Sequence, residues 1–202
     1  MKTKSLEVIL AATSLGEIGY KNTIPWRLKG DLKRFKELTV GNVVIMGRNT
    51  FESLPVPLAD RTVIVVTRSK RALDYPQKNN AAIYVAGSLS DAITVAQSVY
   101  GEKVFVAGGT RLYEEALWMK DITVHLTLVH KAAKDGYDAV VPNFNLNNLQ
   151  LVDTHVAPSY PVGLNSQTVY DIDPATNLPV PSHTYLTYQS KTISNSSMTR
   201  LG

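Results

Sequence analysis

An acid five residues after a tryptophan, at the opening of a helix-spaced run, is the group in this sequence best placed to do chemistry. The segment is IGYKNTIPWRLKGDLKRF, residues 18–35, and the pair is Trp26 and Asp31. A carboxylate beside a large aromatic and an apolar face is screened from water and held ready to bind a cation or move a proton. An aspartate at a helix start also caps free backbone amides, and the segment alone favours that plainer role. Before the acid, the sequence predicts a loop: Gly19 and Asn22 take backbone shapes that other residues resist, and Pro25 fixes the backbone ahead of Trp26. From about Asp31 the spacing turns helical. Leu32, Phe35 and Leu38 fall on one face, and Lys33, Arg34, Lys36 and Glu37 on the other.

Two further stretches suit phosphate chemistry. In MGRNT (46–50), a glycine at a strand end lets backbone approach a ligand, and Arg48 presents a fork that fits a phosphate dianion. In AGGTR (107–111), paired glycines before a helix start leave room for a pyrophosphate. Each by itself is as common in a tight turn, and the GxGxxG dinucleotide fingerprint is absent. Together with Thr67 and Arg68, which end another strand, they place three junctions at the carboxyl ends of strands, where open α/β sheets bind ligands.

The elements that must position these groups come from a chain of 202 residues, enough for one domain with a sizeable core. Apolar content of 44% and charged content of 19% are ordinary for a globular protein. The net charge of +4 suits small anionic ligands, but there is no dense basic run of the nucleic-acid-binding kind. Without cysteine there are no disulfides, thiolate metal sites or cysteine nucleophiles. The four histidines are scattered with no HExxH spacing, so no metal site is expected. The basic start and short apolar run of MKTKSLEVILAATSLG faintly resemble a secretory signal, but Glu7 breaks the approach and no cleavage site follows. No stretch nears the roughly 18 apolar residues of a membrane span. The expected place is the cytoplasm.

Short β-like runs alternate with helical ones. Strands are predicted at 6–13, 42–46, 61–67, 82–86, 103–107 and 122–129, with two more in LQLVDTHVA and TYLTYQS. Besides the helix from Asp31, a short one follows Asn49, and Ser88 with Asp91 opens another that Gly101 closes. A Pro-, Gly- and Asn-rich excursion spans 158–182, and 192–202 reads as a flexible tail, leaving one domain over 1–191. The fold class is α/β: a mostly parallel central sheet, an antiparallel C-terminal edge, and helices on both faces.

These motifs together resemble dihydrofolate reductase. ILAAT, IGYKNTIPW, DLKRF, VIMGRNTFESL, RTVIVVTRS, VAGGTRLYEEAL and the LT at Leu126–Thr127 stand in that family's order and near its spacing, and HTYLTYQS resembles its closing strand. The resemblance reverses the preference at Asp31 and implies NADPH-dependent reduction of 7,8-dihydrofolate, with Asp31 pairing with the pterin and Thr127 supporting it. Ile9, Ala11 and Ala107 would wall the pterin, with Tyr113 nearby. Leu32, Phe35, Leu54 and Leu58 would line an apolar channel, and Arg61 would clamp the glutamate carboxylate. The NADPH side would comprise Ala11, Ile18 and Gly19 near the nicotinamide lid, Gly47, Arg48, Asn49, Thr50, Thr67 and Arg68 at the adenosine end, and Gly108, Gly109, Thr110, Arg111 and Leu112 at the pyrophosphate. The implied protein is a monomer with small-molecule ligands and no nucleic-acid or membrane partner. Two alternatives stand beside it. One is a pyrimidine reductase of riboflavin synthesis with this architecture, which Trp26, Asp31 and Arg61 oppose. The other is a catalytically silent ligand-binding or scaffold protein of the same fold.

Overall fold

Strand β1, Ser5–Ala12, lies inside an eight-stranded sheet whose neighbours come from every part of the chain. The structure is a computed structural model that describes residues 3–26, 28–55, 58–69, 82–130, 137–142, 144, 146–156 and 183–191. In chain order the strands are β1, β2 (Glu17–Gly19), β3 (Val43–Gly47), β4 (Thr62–Val66), β5 (Ala82–Ala86), β6 (Lys103–Val106), β7 (Ile122–Val129), β8 (Ala139–Val140), β9 (Leu149–Val156) and β10 (His183–Ser190). The helices are α1 (Lys29–Thr39), α2 (Arg48–Glu52), α3 (Leu89–Ser98) and α4 (Thr110–Leu117). The sheet order is β5-β4-β3-β6-β1-β7-β10-β9, parallel from β5 through β7 and antiparallel at β10 and β9. This is the expected class. The excursion over 158–182 and the tail over 192–202 lie outside the described residues.

Because β6 inserts between β3 and β1, the chain leaves β1 toward one side of β6 and returns to it from the other. A cleft opens at the carboxyl ends of strands at such a reversal. Continuous apolar runs build the sheet, since side chains alternate between two covered faces. On one face Val8, Leu10, Ala12, Val43, Ile45, Val104 and Val106 pack with Ala92 and Ala96 of α3 and Leu112 and Ala116 of α4. The other face carries two separate apolar clusters. Val44, Met46, Phe51, Leu58, Val63 and Val65 form one, with Phe35, Leu54 and Ala107 against it. Trp26, Leu28 and Val129 form the second, joined by Ala11 and Tyr137. Helix α1 links them, with Leu28 just before it in one and Phe35 in the other. Asp31 stands between these two contacts.

Several local expectations change. Gly19 is not a left-handed turn residue; it lies in β2, where a Cβ would meet that of Ala139 at 3.1 Å. The positive φ falls at Gly16, Lys21 and Asn22. Ile18 is therefore strand, not loop, and pairs of two and three residues join β2 to β8 in a miniature sheet. The apolar face of α1 is also turned: Leu32 is 64% exposed, while Arg34 is half-buried. Three-residue spacing selects a helix face, but the neighbouring strands decide which face is covered. Among the described residues, no helix is long and apolar enough to cross a membrane.

Glu7, in the sheet's interior, is almost fully buried. Oε2 lies 2.6 Å from Nε2 of His125, and Lys103 Nζ is 2.8 Å from Oε1. The Ser5 hydroxyl donates to the same carboxylate at 3.1 Å. Burial alone would raise this carboxyl, but the bonds and charges of His125 and Lys103 outweigh it and hold it below its ordinary value of 4.5. A folded-state value below the unfolded one contributes stability that is complete above pH 4.5 and is lost as pH falls through the lowered value. Glu7→Gln is therefore expected to cost about 1.5–3 kcal/mol at neutral pH and to flatten the acid limb of Tm against pH. An unchanged Tm at neutral pH would contradict this balance.

Candidate active site

Helix α1 begins after Leu28 with no side-chain cap, and Asp31 in its first turn does not serve as that cap. Its carboxylate reaches across to the sheet instead. Thr127 Oγ1 of β7 donates to Asp31 Oδ1 at 2.5 Å, across 96 residues of chain. The register explains the meeting: Ala11 of β1, Thr127 of β7 and Tyr185 of β10 are successive cross-strand partners, so their side chains share the α1 face. Burial pushes the Asp31 carboxyl up; the Thr127 bond and the charges of His183 and Arg34 pull the other way and do not cancel it. The result is a carboxylate at the gap between two apolar clusters that holds a proton more readily than a solvated aspartate.

Ile9 is buried in β1, and its carbonyl accepts from the Tyr113 hydroxyl at 2.9 Å. Burial, then the charge of Asp31, raises the Tyr113 phenol far above its usual range, so it remains a donor. Ala107, Phe35, Leu54 and Leu58 gather in one apolar cluster. Leu32 does not join them. It stands exposed on α1. Arg61 is steered toward α1: its Nε donates to the Ala59 carbonyl at 2.9 Å, and Nη1 donates to Thr39 Oγ1 at 3.2 Å. The guanidinium carbon also lies 6.0 Å from the centre of the Phe35 ring.

At the strand ends, β3 and β6 bring the two glycine turns together. Gly47 N–H donates to the Gly108 carbonyl at 2.7 Å, and the Gly108–Gly109 peptide is cis. A Cβ on Gly108 would press on the Tyr113 ring at 3.2 Å, and one on Gly109 on the Thr50 hydroxyl at 3.1 Å. Helix α4 then opens from Gly109 with no side-chain cap, which directs the first-turn N–H groups of Thr110, Arg111 and Leu112 outward. The Leu112 side chain is core, so only its amide is available there, and Arg111 pairs with Glu115 on the exposed side. Arg48 has a side chain only 10% exposed, held by Glu52 at 2.8 Å, while Asn49 beside it is exposed. Thr67 is tied by its N–H to the Ala86 carbonyl and by its hydroxyl to Ser69 N–H; Arg68 is exposed. Lys70 and Arg71 lie outside the described residues. Side-chain-free backbone at two strand ends, an uncapped helix start and neighbouring arginines form a cradle that fits the diphosphate of a dinucleotide.

The segment from Thr13 to Trp26 follows β1. The Thr13 hydroxyl donates to Glu17 at 2.8 Å, and β2 pairs with β8. Lys21 N–H donates to Asp138 Oδ2 at 2.8 Å, so this segment is tied to the chain that follows β7. The Trp26 indole N–H and the Tyr137 hydroxyl are buried without a partner among the described residues.

Sequence reasoning missed four contributors: Thr39 behind Arg61, Asp138 bonded to Lys21, and Tyr185 with Gly30 behind Asp31. A Cβ on Gly30 would lie 2.7 Å from the Tyr185 hydroxyl, so the glycine just before Asp31 was a usable signal. The others are single polar residues whose partners lie far along the chain.

Comparison with known proteins shows the family. A family model described as dihydrofolate reductase matches residues 5–160. A dihydrofolate reductase type 8 from Escherichia coli is 43% identical over 162 residues, covering 77% of this chain and 94% of its own length. The dihydrofolate reductase of Bacillus subtilis is 35% identical over 137 residues, covering 68% of this chain and 75% of its own. Among solved structures, a dihydrofolate reductase from Enterococcus faecalis complexed with NADP(H) and RAB-propyl superposes with a TM-score of 0.68 at 27% identity. That match covers 94% of this chain and 98% of the other.

Proposed function

This chain belongs to the dihydrofolate reductase family, and from that premise we propose which of its residues carry the NADPH-dependent reduction of 7,8-dihydrofolate to 5,6,7,8-tetrahydrofolate that it performs. Reducing the C=N bond of the substrate requires a hydride at carbon and a proton at nitrogen. NADPH, when bound, supplies the hydride. The chain's own groups bind, orient, exclude water and handle the proton.

The observation that carries the assignment is Asp31, raised by burial and bonded to Thr127 at the gap between two apolar clusters. Its carboxylate binds the amidine-like edge of the pterin through two charge-assisted hydrogen bonds, and Thr127 fixes its orientation. As the acid at this position, with a proton affinity above that of a solvated aspartate, it promotes protonation of the imine nitrogen through water. Ile9, Ala11, Ala107 and Tyr113 wall the pterin. Phe35, Leu54 and Leu58, with the exposed Leu32 at the rim, line the channel for the benzoyl group. Arg61, already oriented by Thr39 and Ala59, clamps the α-carboxylate of the glutamate.

On the cofactor side, Gly108 to Leu112 take the diphosphate by backbone, and Gly47, Arg48, Asn49, Thr50, Thr67 and Arg68 take the adenosine end. Ile18 and Gly19, with Ala11 below, close over the nicotinamide and keep water from the reacting atoms. All the groups named here come from one chain, which is consistent with a monomer.

NADPH oxidation followed with dihydrofolate, and separately with the ribosyl-phosphate pyrimidine of riboflavin synthesis, tests the assignment. Turnover is expected with dihydrofolate, and Asp31→Asn is expected to lose about a hundredfold to ten-thousandfold in rate at neutral pH while still folding. Near-wild-type turnover in that variant would reduce Asp31 to a structural acid.

Arg61→Ala separates the tail clamp from a general structural role. KM for dihydrofolate should rise sharply, while reduction of a dihydropterin lacking the benzoylglutamate tail should hardly change. Equal losses on both substrates would contradict the clamp.

A further inference from the structure

Arg34 stands one turn after Asp31 on α1, half-buried, with its guanidinium carbon 4.8 Å from the centre of the Tyr185 ring. Tyr185 is the cross-strand partner of Thr127, whose hydroxyl holds Asp31. Its ring is boxed in on several sides. The hydroxyl presses against Gly30, where even a Cβ would sit 2.7 Å away. His183 Nε2 lies 3.1 Å from the same hydroxyl, and the two rings meet edge-on with centroids 5.0 Å apart. His155 stacks on it nearly parallel at 6.3 Å.

We propose that Arg34 is a positioning residue for the reduction: seated on Tyr185 one turn from Asp31, its permanent cation limits how far burial drives Asp31 toward the neutral acid and so favours the ionised form that grips the pterin. The proposal rests on the reading of Asp31 as the pterin anchor and deepens it. Desolvation favours the neutral acid, and Thr127 offers only an uncharged hydroxyl, so a stable carboxylate there needs a nearby positive charge. Arg34 and His183 are the cations acting on Asp31, both against the effect of burial. Arg34 keeps its charge at every working pH, whereas an imidazole is a cation only when protonated. The other titratable groups facing this pair are Tyr185 from β10, Asp153 and His155 from β9, Tyr113 from α4 and Glu37 on α1 itself. None of these supplies a permanent positive charge. The plainer possibility is an arginine that covers an aromatic ring and does nothing for its neighbour.

Titration of the protein with 13C-labelled aspartate carboxyls distinguishes the two, with Asp31→Asn identifying the Asp31 resonance by removing it. In Arg34→Gln, and in Arg34→Met, which keeps apolar cover over Tyr185, the Asp31 carboxyl should titrate at higher pH than in the wild type. Dihydrofolate binding should weaken by about threefold to tenfold on the acid side and stay unchanged on the alkaline side. Arg34→Lys should recover part of both effects. An Asp31 titration that matches wild type in the Gln and Met variants, whatever their Tm, would overturn the role of Arg34 and leave the anchor intact. Asp31→Asn binding dihydrofolate as tightly as wild type at every pH would overturn the anchor itself, and this proposal with it.

Discussion

The short hydrogen bond from Thr127 to Asp31 is the contact on which the architecture converges. It joins the first helix to the seventh strand, and it exists only because β1, β7 and β10 are in a register that sets Ala11, Thr127 and Tyr185 in one row. A one-residue slip would turn Thr127 to the opposite face of the sheet and leave a half-buried acid with no donor. The parallel sheet, the crossover through α1 and the antiparallel return of β10 are all needed to bring those groups to one point.

The buried Glu7 and the half-buried Asp31 shift in opposite directions. Glu7 meets His125 and Lys103, which favour its charge enough to overcome desolvation, so it is a settled ion. At Asp31 desolvation prevails over the Thr127 hydroxyl and the charges of His183 and Arg34. An acid left partly unsatisfied by the protein keeps binding capacity for a ligand that brings its own donors, as the amidine edge of a pterin does. The tight network at Glu7 keeps the neighbouring strands in place.

Much of this was legible in the residues. The strands over 82–86 and 122–129 coincide with apolar or alternating runs, and Ser88 caps α3 through Asp91 N–H as its spacing implies. The glycine turns after β3 and β6 lie side by side as a ligand cradle would require. What could not be read was set by distant partners. The β2–β8 pair is too short to carry periodicity, and its strands are far apart in sequence. Leu32 matched a buried spacing yet is exposed, and Arg34 looked like a solvated charge yet lies on Tyr185, because the strands beyond α1 determine which helix face is covered. Thr39 carried no signal until Arg61 was seen resting on it.

A crystal structure of the protein with folate and oxidised NADP bound tests the central claim most directly. The account predicts both Asp31 oxygens on the 2-amino and ring N–H edge of the pterin, with the Thr127 hydroxyl still donating to Oδ1. It also predicts the diphosphate at the first turn of α4. A pterin bound elsewhere, or one whose polar edge is met by water or another side chain while Asp31 remains on Thr127 alone, would contradict it.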